Sequence, residues 1–237
     1  RYLARESAFG RFETADTNCQ LADNQFIELF AKRGLIRCGI AADEPGVRRQ
    51  AETLLKRAEH RGFRRHQMNA LAVLGDLARK RLAAQKARTY YTRARQIARE
   101  LNRPVIEANT TMQLAEVDIT EADFESAERR IQRADQMFTT ADASRVNSLR
   151  SIRIVVAAGT EQWSEFDANL SAQKHAWHEG ARLVSDHPWL LEMAGDYAAE
   201  AGHYERARAV WQIARDLWER LADDDAAAQV EAKLEHL

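Results

Sequence analysis

A small residue returns along this chain at a near-constant interval, and that interval constrains the fold more than any other feature. Gly10-x-Phe12-x-x-Ala15-x6-Ala22 is matched by Gly46-x-x-x-x-Ala51-x6-Ala58 and Ala84-x-x-Ala87-x6-Ala94. It returns at Ala122-x-Phe124-x-x-Ala127-x6-Ala134 and at Gly202-x-Tyr204-x-x-Ala207-x6-Ala214, with a degenerate copy at Trp163-x-x-Phe166. The first small residues fall at 15, 51, 87, 127 and 207, with Phe166 filling the gap, so the steps are 36, 36, 40, 39 and 41. A period of this size is that of helical hairpins stacked on one another, not of one central core.

Within a unit the apolar spacing predicts helix A, a short turn and helix B. Val105 to Thr120 carries Ile106, Met112, Leu114, Val117 and Ile119; Glu121-Ala122-Asp123 is the turn. Phe124 to Phe138 then places Phe124, Ala127, Ile131, Ala134 and Phe138 on one helix face. Trp189 to Glu200 and the face Tyr204, Ala207, Trp211, Ala214, Trp218 repeat the pattern. The 3 prolines fall at boundaries: Pro45 in a turn, Pro104 and Pro188 opening helix A, where a missing N–H costs least. Gly39, Gly75, Ala115 and Gly195 lie twelve residues before the first alanine of their units. They are read as small residues facing small ones across the hairpin, with Tyr91, Ile131, Leu170 and Trp211 wedged against the neighbouring unit.

No apolar run approaches the roughly 18 residues of a membrane span, and no signal peptide is visible. The chain lacks an initiator Met and begins within the pattern, so it is expected to be part of a longer protein. Cys19 and Cys38 cannot form a disulfide framework and fall at apolar repeat positions. The net charge of −1 hides a division: residues 48–103 hold 16 Lys/Arg against 4 Asp/Glu, and residues 104–237 hold 13 against 25. A division of this size bears on partners rather than on fold.

Leu191-x-x-x-Gly195-x6-Gly202-x-Tyr204-x-x-Ala207-x-x-x-Trp211-x-x-Ala214 resembles the tetratricopeptide repeat (TPR). The resemblance covers nearly the whole chain, and the enlarged units are similar to those of kinesin light chains and of bacterial signalling ATPases and Ser/Thr kinases. It implies an all-α, right-handed α-solenoid of about six hairpins. The units are expected at about 1–23 (truncated), 24–62, 63–103, 104–140, 141–184 and 185–222, with a closing helix over 223–237. Phe166 and Gln173 replace both small residues of the fifth unit.

No phosphate loop, GxGxxG, GxSxG or HExxH occurs, so no catalytic site and no cofactor are expected. His175, His178 and His187 could share a metal, but a solvated helix face explains them, and no metal is assigned. The TPR resemblance implies partner binding on helix A positions facing a concave groove. These are Arg33; Asn69, Asp76, Arg79 and Lys80; Asn109, Met112 and Glu116; Trp189, Glu192 and Asp196. Ile36 and Ile40 stand where the chaperone-tail clamp would have Lys and Asn, so that clamp looks absent. Arg64, Arg65, Arg79, Lys80, Arg81, Arg88 and Arg95 form a basic surface, with Arg79, Lys80 and Arg81 expected at the solvent end of their helix. That surface reads as a solubilising face, as a dock for an acidic protein or a second copy, or as a nucleic-acid contact interleaved with Phe63, Tyr90 and Tyr91. The expected function is a non-catalytic protein or peptide scaffold of a bacterial cytoplasmic signalling or regulatory protein. Homodimerisation through the charge division is open, and no membrane contact is expected. The alternatives are a nucleic-acid-associated regulator and a small-ligand or peptide sensor.

Overall fold

The computed structural model describes residues 46–138, 143–178 and 186–237. Arg33, Ile36, Gly39, Ile40 and both cysteines lie outside the described residues. Within them every regular element is an α-helix: α1 Val47–His60, α2 Arg64–Lys80, α3 Ala84–Glu100, α4 Pro104–Thr120, α5 Phe124–Asp135, α6 Ala143–Gly159, α7 Trp163–His178, α8 Asp186–Glu200, α9 Tyr204–Leu221 and α10 Asp224–Glu235. The helices end close to the bounds that periodicity predicts, with two differences. α5 stops at Asp135, three residues before Phe138, and α8 begins at Asp186, two residues before Pro188.

One backbone device makes most of the turns. The helix ends, one residue takes a left-handed conformation, and its N–H and the next return to the last-turn carbonyls. After α2, Leu82 N donates to Arg79 O at 2.9 Å and Ala83 N to Ala78 O at 2.9 Å. The same pair of bonds follows α1 at Gly62 and Phe63, α3 at Asn102 and Arg103, α4 at Ala122 and Asp123, α6 at Glu161 and Gln162, and α8 at Gly202 and His203. This is the Schellman arrangement, and it satisfies carbonyls that would otherwise be orphaned. Asp123 and Asp223 then cap α5 and α10 by accepting from Ser126 N and Ala226 N.

The chain divides into two compact units, one running up to Val117 and the other from Asp118 to Leu237. In the first, Leu54 and Leu55 of α1, Met68, Leu71 and Leu74 of α2 and Ile97 of α3 share one apolar cluster. Tyr91 of α3 is fully buried with Leu114 and Val117 of α4. In the second, Phe124 lies over Gly159, where an added Cβ would stand 2.1 Å from its Cζ, and meets Tyr197 edge-on at 5.4 Å. The Trp163 and His203 rings meet at a tilt of 52° with centroids 4.1 Å apart.

The hairpin contact differs from the small-on-small reading. A Cβ on Gly75 would stand 2.4 Å from the Tyr91 ring, and one on Gly195 2.3 Å from Trp211 Nε1. The glycine therefore receives the aromatic of its own hairpin, and Tyr91 at the same time packs with Leu114 and Val117 of the next unit. Phe166 and Gln173, where other units carry alanine, are both fully buried.

Candidate binding surface

The glycine–aromatic contact is extended by the next residue. The Tyr91 hydroxyl donates to Asp76 Oδ1 at 2.8 Å, and Gln113 Nε2 of α4 donates to the same oxygen at 2.9 Å. One turn further along α2, Arg79 Nε lies 3.2 Å from Glu116 Oε2, with side chains 9% and 4% exposed. Burial first, and then the Asp76 charge, hold the Tyr91 phenol well above its ordinary 10.0.

The second unit repeats this lock. Trp211 Nε1 donates to Asp196 Oδ1 at 3.2 Å, again fifteen residues apart, and to Glu192 O at 3.1 Å. Lys233 of α10 donates to Asp196 at 2.7 Å and Glu192 at 2.8 Å, and lies 5.7 Å from the Trp211 ring centroid. Gln113 and Lys233 both stand 37 residues after the aspartate they hold. α10 thus takes the register that helix A of a further hairpin would occupy. Burial pulls the Lys233 ammonium down, but its bonds to Asp196 and Glu192 outweigh that and leave its pKa raised.

The expected groove residues divide accordingly. Asp76, Arg79 and Glu116 are engaged within the first unit, and Glu192 and Asp196 within the second. Asn69, Asn109, Met112 and Trp189 are half-buried on their helices, and Lys80 is exposed. Arg79 is not at the solvent end of α2: the helix reaches α4 there, and Glu116 covers it.

Every acid of residues 48–103 is occupied. Arg48 takes Glu52, Arg93 takes Glu59, Arg64 takes Glu100, and Asp76 holds Tyr91 and Gln113. The positive surplus therefore reaches solvent, with Arg65 and Arg81 exposed and Arg88 and Arg95 half-buried. His175 is exposed on α7, and the side chains of His178 and His187 lie outside the described residues. Among the described residues, no group of three or more His, Cys, Asp or Glu converges as a metal set, and no helix is long and apolar enough to cross a membrane.

The lock was legible only in part. Gly75-Asp76 with Tyr91, and Gly195-Asp196 with Trp211, recur at identical internal spacing. That repetition was the available signal for Gln113 and Lys233 as well.

No protein-family model matches the chain, and no curated protein does. Among solved structures, BtubC (BKLC) from P. vanneervenii, a kinesin light chain-like TPR protein, is similar at 19% identity, with a TM-score of 0.65 over 92% of each chain. A Rap protein complexed with competence and sporulation factor is similar at 11% identity, with a TM-score of 0.68 over 99% of this chain and 70% of that one. The fold is TPR-like. It is an all-helical class in which successive helical hairpins pack on their neighbours.

Proposed function

We propose that this chain is a non-catalytic scaffold that binds an extended protein or peptide segment along the helix A faces of its hairpins. The observation that carries this reading is the half-exposed row beside the first lock: Asn69 on α2, and Asn109 and Met112 on α4. The ion pair and the Tyr91–Asp76 bond hold α2, α3 and α4 in fixed register. Amide side chains on a rigid face can then pair with a peptide backbone at little ordering cost. The bound factor of the Rap neighbour, a peptide, supports the same class of ligand. Residence in a bacterial cytoplasmic signalling protein belongs to the same proposal.

A displayed library of random peptides, selected on the purified chain, tests it. Enriched peptides should lose roughly tenfold or more in affinity on Asn69→Ala/Asn109→Ala, the loss expected for about 1.4 kcal/mol. No enrichment, or affinity indifferent to both substitutions, would remove the reading.

A further inference from the structure

The turn between α2 and α3 departs from the other hairpin turns. Its left-handed position, at φ 54°, is a leucine, Leu82, where the comparable turns carry Gly62, Asn102, Ala122, Glu161 and Gly202. A left-handed backbone disfavours a bulky side chain. Leu82 is also 79% exposed, so the core does not reward it either. Lys80, Arg81 and Lys86 stand around it, all exposed. Arg81 and Lys86 make no ion pair among the described residues. The turn is an apolar knob with a cationic rim.

The second unit carries the complement. Phe124 opens α5 and meets Gly159 at the end of α6 and Tyr197 near the end of α8. Trp163 opens α7 and packs at a tilt against His203, just before α9. These contacts gather the turns after α4, α6 and α8 onto one edge of the unit. Glu161, Glu165, Glu200 and Glu205 are exposed there, without an ion pair among the described residues. Between the last two, Tyr204 is 57% exposed. Leu82 and Tyr204 are the exposed large hydrophobic residues among the described ones, and their charged rims have opposite sign.

We propose that the Leu82 turn seats against the Tyr204 edge of a second copy of this chain, Arg81 and Lys86 facing Glu200 and Glu205. An apolar contact ringed by opposite charges excludes water at its centre and fixes orientation at its rim. The contact does not use Asn69, Asn109 or Met112, so it stands or falls independently of peptide binding there.

Sedimentation velocity of the full chain, at low and high salt, tests the proposal. Wild-type protein should self-associate at low salt and more weakly at high salt. Leu82→Asn suits the left-handed backbone, so it should keep or raise the melting temperature while weakening association by about tenfold. Arg81→Glu/Lys86→Glu and Glu200→Lys/Glu205→Lys should each abolish self-association, and mixing the two variants should restore a mixed complex. A wild-type chain that stays monomeric at about 100 µM overturns the proposal, as do association unchanged by Leu82→Asn and a mixture that does not associate. A monomer that instead binds a single-stranded oligonucleotide through Arg81 and Lys86, with a steep salt slope, also overturns it.

Discussion

A Cβ atom on Gly75 would stand 2.4 Å from Cε1 of Tyr91. The ring cannot retreat cheaply, because its hydroxyl is held by Asp76 and its faces are fully buried. Alanine is the better helix former by about 1 kcal/mol, yet Gly75→Ala should destabilise the protein. Overpacking of this kind costs about 1–3 kcal/mol. Urea denaturation should show the loss, and Tyr91→Leu in the Gly75→Ala background should recover part of it. Equal midpoints for wild type and Gly75→Ala would mean that the hairpin relaxes around the methyl group.

Tyr91 also sets a response to alkali. Its folded pKa is raised above its ordinary value by burial and by Asp76. A raised pKa means that stability is fully present below the unfolded value near 10 and falls as pH rises towards the folded one. Lys233 acts with the same sign, its pKa being raised by Asp196 and Glu192. Thermal melts above pH 10 should therefore decline more steeply than those between pH 7 and 9. Tyr91→Phe should flatten that decline while costing about 1 kcal/mol at neutral pH through the lost hydrogen bond. An unchanged alkaline slope in Tyr91→Phe would assign the response to other groups.

Arg79 separates from its two neighbours. Its side chain and that of Glu116 are nearly enclosed, so Arg79→Glu places two carboxylates together out of water. Breaking such a pair costs about 3–5 kcal/mol. Lys80→Glu and Arg81→Glu, both exposed, should shift the melting midpoint little. Exchanging the pair, Arg79→Glu with Glu116→Arg, should recover much of the loss. A mild effect of Arg79→Glu alone would show the site to be wetter than its burial implies.

That separation marks where the sequence stops being readable. Helix faces, turns and the buried alanines follow from local periodicity, so Ala127, Ile131 and Ala134 share a buried face as expected. The partner of Arg79 comes from the next hairpin. How α4 leans on α2 is a property of stacking that a 3.6-residue period does not carry. The same limit applied to Gly75 and Gly195. Their small size was evident, but the ring that fills the space could be found only from three-dimensional approach.

Gln173 should be replaceable with profit. It is fully buried, and neither amide atom finds a hydrogen-bond partner among the described residues. A buried unpaired polar group costs about 1–3 kcal/mol. Gln173→Met keeps the length and removes the polarity, so it should raise the melting temperature, whereas Gln173→Ala should gain less because it leaves a cavity. A lower melting temperature for Gln173→Met would show that the amide is solvated by an internal water.

Lys233 is one of two side chains that tie α10 to the hairpin before it by charge. α10 buries only Ala227 and Val230, and its polar ties are Arg215 to Glu231 at 2.8 Å and Lys233 to Asp196 and Glu192. Removing the ammonium leaves two carboxylates of α8 facing each other without their shared cation. Lys233→Met keeps the aliphatic stem near the Trp211 ring and loses the charge alone. Amide hydrogen exchange over 224–235 should then quicken by roughly tenfold, while α1–α3 keep their protection, because neighbouring hairpins in a stack open separately. Raising the salt should speed exchange of α10 in the wild type and do little in Lys233→Met, since the screened interaction is already gone. If exchange over α10 is the same in both proteins at low salt, the two apolar residues hold the helix by themselves and the lysine is a surface charge.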